Sequence, residues 1–163
     1  MKLIIGSLII FLLVIVFLFA LFPSDISVSR IIQIKNSKEQ ISKKIADLRS
    51  WKTWNELLKY PPAKDITDRY SGRIDSNFIQ IGAMSVEILK SGRDTVLTRW
   101  QQGNKSFTGN YILNEINGQV ILEWTLHFHI KWYPWDKLAS MFYEKKLGPL
   151  MEKSLINLQK ELE

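Results

Sequence analysis

Residues 117–130 read Asn117-Gly118-Gln119-Val120-Ile121-Leu122-Glu123-Trp124-Thr125-Leu126-His127-Phe128-His129-Ile130. Asn-Gly is the strongest hairpin signal in the chain, because both residue types tolerate the left-handed backbone of a two-residue turn. After it, Val120, Leu122, Trp124, Leu126, Phe128 and Ile130 share one face. Gln119, Glu123, Thr125, His127, His129 and Lys131 share the other. A period of two predicts a strand with one buried face and one wet face.

The same alternation extends upstream. Phe107, Gly109, Tyr111 and Leu113 alternate ahead of the hairpin, and Gly103-Asn104 makes the preceding turn. Before that come Val96, Thr98 and Trp100, a turn at Ser91-Gly92-Arg93-Asp94, and a strand with Met84, Val86 and Ile88. Short strands are expected at Phe78–Ile81 and Ile66–Ser71. Near the front, Val28, Arg30, Ile32 and Ile34 alternate as well. Strands at such short spacing predict an antiparallel meander with one apolar face.

Helical signals flank the meander. Ser37 with Gln40 three residues later is a capping-box pattern, and Ile41, Ile45 and Leu48 follow at helical spacing, which predicts a helix over Lys38–Arg49. Trp51, Trp54, Leu57 and Leu58 mark a second short helix, closed by Pro61-Pro62. Pro134 and Asp136 suit the start of a long C-terminal helix, on which Leu138, Met141, Phe142, Met151, Leu155, Leu158 and Leu162 recur. Gly148-Pro149 predicts a kink or break in it. The fold class expected is α+β. A curved antiparallel sheet of about seven strands wraps a long C-terminal helix, with two short helices after the first strand.

The N-terminus carries a separate expectation. Leu3 to Phe22 contain no charge, and Pro23, Ser24 and Asp25 end the run. A helix of that length is roughly 30 Å long, the thickness of a hydrocarbon core. This predicts a transmembrane anchor over 1–24 and a water-facing domain over 25–163, with the lipid bilayer as partner. A cleaved signal peptide wants a shorter apolar run and small residues before the cut. Lys2 and the amino group lie on one side of the run, and Arg30, Lys35 and Lys38 on the other, so charge alone does not set orientation. The expected location is the cell membrane, single-pass, with the domain on the external or periplasmic side.

With 163 residues, the chain is one domain plus an appendage. It has no cysteine, so it holds no disulfide framework and no thiol chemistry. The formal charge is +6, with lysines and arginines spread along the sequence. That dispersal argues against nucleic acid as a partner. No nucleophile elbow, Walker motif or dinucleotide fingerprint is present.

Taken in order, these pieces resemble the helix-grip superfamily, which includes START domains, birch-pollen-allergen-like proteins and polyketide cyclase/dehydrase-like proteins, together SRPBCC. The resemblance covers about Val28 to Glu163. It rests on the strand Val28–Ile34, the turn Asn36–Lys38, and the Leu-x-x-Trp-x-x-Trp run of Leu48, Trp51 and Trp54. It rests further on Gly82 before Met84, Val86 and Ile88, on Trp124-Thr125, and on Ser154, Leu155, Asn157, Leu158 and Leu162. The N-terminal run is similar to that of a bacterial branch with a hydrophobic anchor. Only Gly72 and Gly82 remain of the glycine-rich linkage usual between the second and third strands.

The resemblance implies a cavity between sheet and long helix that takes an apolar or amphipathic small molecule or lipid. It implies no cofactor and no fixed catalytic set. Membrane-tethered binding is the expected function. The alternatives are a cyclase/dehydrase-like enzyme on a small hydrophobic substrate, or a non-catalytic structural or interaction domain. A monomeric soluble domain is expected.

Trp100, Phe107, Tyr111 and Trp124 share the face assigned inward, with Met141 and Phe142 opposite on the long helix. These six are the ligand-cavity candidates, and ordinary core packing explains the same pattern. Trp51 and Trp54 suit the locking of short helices onto the sheet. Trp132, Tyr133 and Trp135 cluster around Pro134 and are the membrane-contact candidates, with packing over the cavity mouth as the alternative. His127 and His129 are two apart on the wet face, a spacing metals use, but nothing completes a ligand set, so no metal is expected. Glu115 is a candidate buried acid, and Asp65 and Asp68 have no assigned role.

Overall fold

Asn117 and Gly118 adopt the left-handed backbone that their residue types predict, with φ of 52° and 74°. They join β5 (Lys105–Ile116) to β6 (Gln119–His129). The computed structural model describes residues 2–20, 24–59, 72–131 and 133–163. The other strands are β1 (Asp25–Ile34), β2 (Phe78–Ile81), β3 (Met84–Ser91) and β4 (Thr95–Gln102). Among the described residues they form one antiparallel sheet of six strands in the order β1-β6-β5-β4-β3-β2. The expected strand Ile66–Ser71 lies outside the described residues, as do Pro61-Pro62, Asp65 and Asp68.

The register places the inward residues in rows across the sheet. Trp100 faces Phe107, Phe107 faces Phe128, and Phe128 faces Ile26. Two rows along, Val96, Tyr111, Trp124 and Arg30 are partners in turn. Between these rows lies Gly109, beside Thr98 and Leu126. A Cβ there would stand 2.6 Å from the Thr98 hydroxyl and 2.9 Å from the Trp100 indole nitrogen. The glycine is therefore a packing requirement, and it lets Trp100 donate to Thr98 Oγ1 at 3.0 Å.

Among the described residues, five α-helices accompany the sheet: α1 (Lys2–Ala20), α2 (Lys38–Ala46), α3 (Trp51–Trp54), α4 (Pro134–Ser140) and α5 (Tyr143–Leu162). The Ser37 side chain accepts from the Gln40 N–H at 3.3 Å and starts α2. The helix stops at Ala46, short of the expected Arg49, because Asp47 turns extended and caps a 3-10 turn over Leu48–Ser50. The sheet wraps α5, which buries Met151, Leu155 and Leu158 against it. Trp51 and Trp54 seal one side of the core, both fully buried.

The expected break at Gly148-Pro149 does not occur, and α5 runs through both residues. Pro149 is exposed, and so is Lys145, whose carbonyl loses its donor, so that carbonyl is open to solvent rather than stranded in the core. Gly148 makes room instead: a Cβ there would collide with the Arg30 guanidinium, which pairs with Glu144 at 2.6 Å. The interruption falls earlier, at Met141 and Phe142, between α4 and α5.

The N-terminal expectation is corrected. Among the described residues, no helix is long and apolar enough to cross a membrane. Helix α1 has 19 residues and begins at a charged lysine. Residues 21–23, which would complete the expected span, lie outside the described residues. A transmembrane anchor ahead of the domain, a bilayer partner through it, and a single-pass location with the domain outside are therefore not supported. Ile5, Ile10, Phe11, Leu13 and Phe17 of α1 are exposed.

Candidate ligand-binding cleft

The start of β5 and the end of β6 lie beside the start of α5, with a gap between them. The gap is a cleft of about 630 Å³. Its floor is aromatic. Phe107 and Phe128 are cross-strand partners with ring centroids 4.7 Å apart. Tyr143, at the start of α5, meets Phe128 edge to face at 4.8 Å. Ile130 and Leu147 extend the apolar wall. Tyr133 and Trp135 stack face to face at the rim, centroids 5.5 Å apart. The pair is open to solvent, with Trp135 67% exposed. Lys105 reaches across to Asp136 at 2.9 Å and ties the β4–β5 turn to α4. That carboxylate holds the Lys105 ammonium above its ordinary pKa, against a smaller opposing effect of burial.

The sequence candidates fall in different places. Phe107 lines the cleft. Trp100, Tyr111 and Trp124 are fully buried behind it, packed on one another and on Trp51 and Trp54. Met141 and Phe142 are exposed at the α4–α5 junction. Tyr133 and Trp135 line the cleft rim, and Trp132 lies outside the described residues. Tyr111 and Glu115 do not converge. The Tyr111 hydroxyl is enclosed without a hydrogen-bond partner, and burial pushes its pKa well above the ordinary tyrosine value. Glu115 is exposed near the end of β5.

His127 and His129 are both exposed, and His129, the last residue of β6, also borders the cleft. His129 Nδ1 lies 2.8 Å from Asp25. Among the described residues, no group of three His, Cys, Asp or Glu side chains is placed to hold a metal. A second hollow of about 510 Å³ lies over the ends of β1, β5 and β6, lined by Ser27, Arg99, Thr108 and His127 among others. Ile26, Phe107 and Phe128 also line it, so this hollow and the cleft share the two phenylalanines.

Sequence reasoning missed Tyr143, Lys131 and Lys146 as cleft residues. Tyr143 carries no motif, and Lys131 and Lys146 are fifteen positions apart on different elements. Their meeting depends on where α5 starts, and the Pro149 signal placed that break too late.

Comparison with known proteins separates fold from function. No family model matches the chain, and no curated protein matches it. Solved structures do. A START superfamily protein from Mycobacterium smegmatis superposes with a TM-score of 0.57 at 17% identity, over 83% of this chain and 96% of that one. The fold is helix-grip-like. CalU16 from Micromonospora echinospora gives a TM-score of 0.54 at 14% identity, over 82% and 71%. DynU16, from the dynemicin biosynthetic locus, gives 0.51 at 14% identity, over 83% of this chain and 46% of its own. Identities this low speak to the SRPBCC-like fold alone. They lend no support to the expected branch with a hydrophobic anchor.

Proposed function

We propose that this chain binds an apolar or amphipathic small molecule in the cleft between the β5–β6 end of the sheet and the start of α5. The observation that carries the reading is the combination of volume and floor. A space of about 630 Å³ is within the range that encloses small organic ligands, and Phe107, Phe128 and Tyr143 offer it a continuous apolar base. Tyr133 and Trp135 add aromatic area at the rim without a core to bury them. No tether to a bilayer enters this reading.

The test is native mass spectrometry of the full-length protein taken gently from its own cells, followed by titration with decan-1-ol. A co-purifying apolar molecule, or saturable decan-1-ol binding lost in Tyr143→Ala, supports the reading. A bare mass together with no saturable binding of decan-1-ol overturns it.

A second reading is an enzyme acting on a small hydrophobic substrate. It is favoured by His129 and Tyr143, two groups able to exchange protons, lining the same cleft. The fold similarity to DynU16 from a biosynthetic locus is compatible with it. Turnover of a bound small molecule that His129→Gln and Tyr143→Phe each abolish would favour it. Unchanged turnover in both variants would remove it.

A further inference from the structure

The cleft has an apolar floor but a charged rim, and the charges are of one dominant sign. Lys105, Lys131 and Lys146 line it, and among the described residues Asp136 is the one carboxylate of its lining. Asp136 is already engaged by Lys105 at 2.9 Å. His129, also in the lining, has its Nδ1 on Asp25 at 2.8 Å. Lys131 and Lys146 have no ion-pair partner among the described residues, and both are exposed. They approach from opposite walls: Lys131 lies two residues past the β6 end, and Lys146 lies on the first turn of α5.

We infer that the ligand is an amphipathic anion, its apolar body on Phe107, Phe128 and Tyr143 and its anionic head between Lys131 and Lys146. This rests on the cleft being the binding site. Ammonium groups beside an apolar wall attract a negative head more strongly than in open water, because the wall limits screening on one side. The arrangement also disfavours a cationic amphiphile of the same length, which the aromatic floor alone would accept. The head is defined by charge, so a carboxylate and a phosphate monoester both satisfy it.

The experiment compares three ten-carbon probes on the full-length protein at low salt, read by tryptophan fluorescence and calorimetry. Decan-1-ol reports the cleft, decanoate the anion, and decyltrimethylammonium the opposite charge. Decanoate is expected to bind at least about tenfold tighter than decyltrimethylammonium, and the gap is expected to narrow as salt is added. The double variant Lys131→Gln/Lys146→Gln is expected to erase the preference, and Lys131→Glu/Lys146→Glu to reverse it. Lys145→Gln, exposed on the same helix outside the cleft lining, is expected to keep it. Circular dichroism of each variant reports whether the fold is intact. Equal binding of the two ions, with decan-1-ol still bound, overturns the anion inference and leaves the cleft standing. A preference that survives in the folded Gln double variant also overturns it. Binding of none of the three overturns the cleft and the inference together.

Discussion

The Tyr143 ring meets Phe128 edge to face at 4.8 Å, and this contact joins the first turn of α5 to the end of β6. Phe128 in turn sits 4.7 Å from Phe107 on the neighbouring strand. The three rings form one surface that the sheet and the helix build jointly. Tyr143 is half-buried, so Tyr143→Ala forfeits roughly 1–2 kcal/mol of apolar contact, about a tenfold change in an equilibrium. The expected result is about tenfold weaker decan-1-ol binding and a fall of similar energy in urea stability. An unaltered affinity in a folded variant would show that the floor of the site lies elsewhere.

Gly109 should tolerate no side chain. Gly109→Ala forces a methyl against Thr98 Oγ1 and Trp100 Nε1, both held within a hydrogen-bonded and fully packed core. Overpacking of this kind costs about 1–3 kcal/mol. The measurement is the urea midpoint of the full-length variant, which is expected to fall. Gly148→Ala makes the contrast. There the obstacle is the flexible end of Arg30, and the helix gains up to about 1 kcal/mol of propensity, so the midpoint is expected to move little.

The sheet was readable because its signals are local. Alternation in Val120–Ile130, the Asn117-Gly118 turn and the Ser37 cap each act within a few residues, and each formed as its chemistry dictates. The course of α5 was not readable in the same way. Pro149 signals a break, yet it falls on an exposed face where the missing hydrogen bond is inexpensive. The real interruption at Met141-Phe142 has no Gly or Pro to announce it. Inward-facing aromatics were visible from parity, but parity does not say whether a ring meets a ligand or another ring. Trp100, Tyr111 and Trp124 meet rings, and Phe107 meets both rings and the open cleft. An apolar run of twenty residues reads as a span by count, whereas no helix among the described residues is long and apolar enough to cross a membrane.

Acid should destabilise the fold through two carboxylates that clamp its helices. Burial pushes the Glu56 pKa up, but the bond from Lys59 at 2.9 Å, the Lys153 charge and the Asn157 amide outweigh it, and the net value is lowered. Burial likewise opposes Glu161, and Lys44 at 2.8 Å with Thr53 outweighs it. A carboxylate with a lowered folded pKa stabilises fully above its unfolded value of about 4.3. That contribution is lost as pH falls through the folded value. Urea midpoints are expected to hold from pH 7 to 5 and drop toward pH 3. Glu56→Gln should lie lower at pH 7 and show a shallower drop. A parallel drop in wild type and variant would remove Glu56 from the account.

Residues 25–163 are proposed to fold without the segment before them. The core draws on β1 to β6, α2, α3 and α5 with the turns beside them, and none of its buried residues belongs to α1. A chain beginning at Asp25 is expected to be monomeric by gel filtration. Its urea midpoint should match that of the full-length protein. It loses the bond from the Ile130 N–H to the Ser24 carbonyl, which costs about 1 kcal/mol at most. Aggregation across solution conditions would place the boundary elsewhere.

Tyr111 offers a sharper distinction between packing and function. Its ring stacks 5.1 Å from Trp124, and its hydroxyl is fully enclosed with no hydrogen-bond partner among the described residues. A buried polar group without a partner costs about 1–3 kcal/mol, so removing it should relieve the fold. Tyr111→Phe is therefore expected to keep or raise the urea midpoint and to leave decanoate and decan-1-ol binding unaltered, since the cleft lies beyond it. Thr98→Val is the counterpart. It deletes an acceptor in use, strands the Trp100 indole N–H in the core, and should lower the midpoint by about 1–3 kcal/mol. Should Tyr111→Phe instead weaken ligand binding while the fold stays intact, the ligand reaches deeper than the cleft, and the buried hydroxyl is its partner.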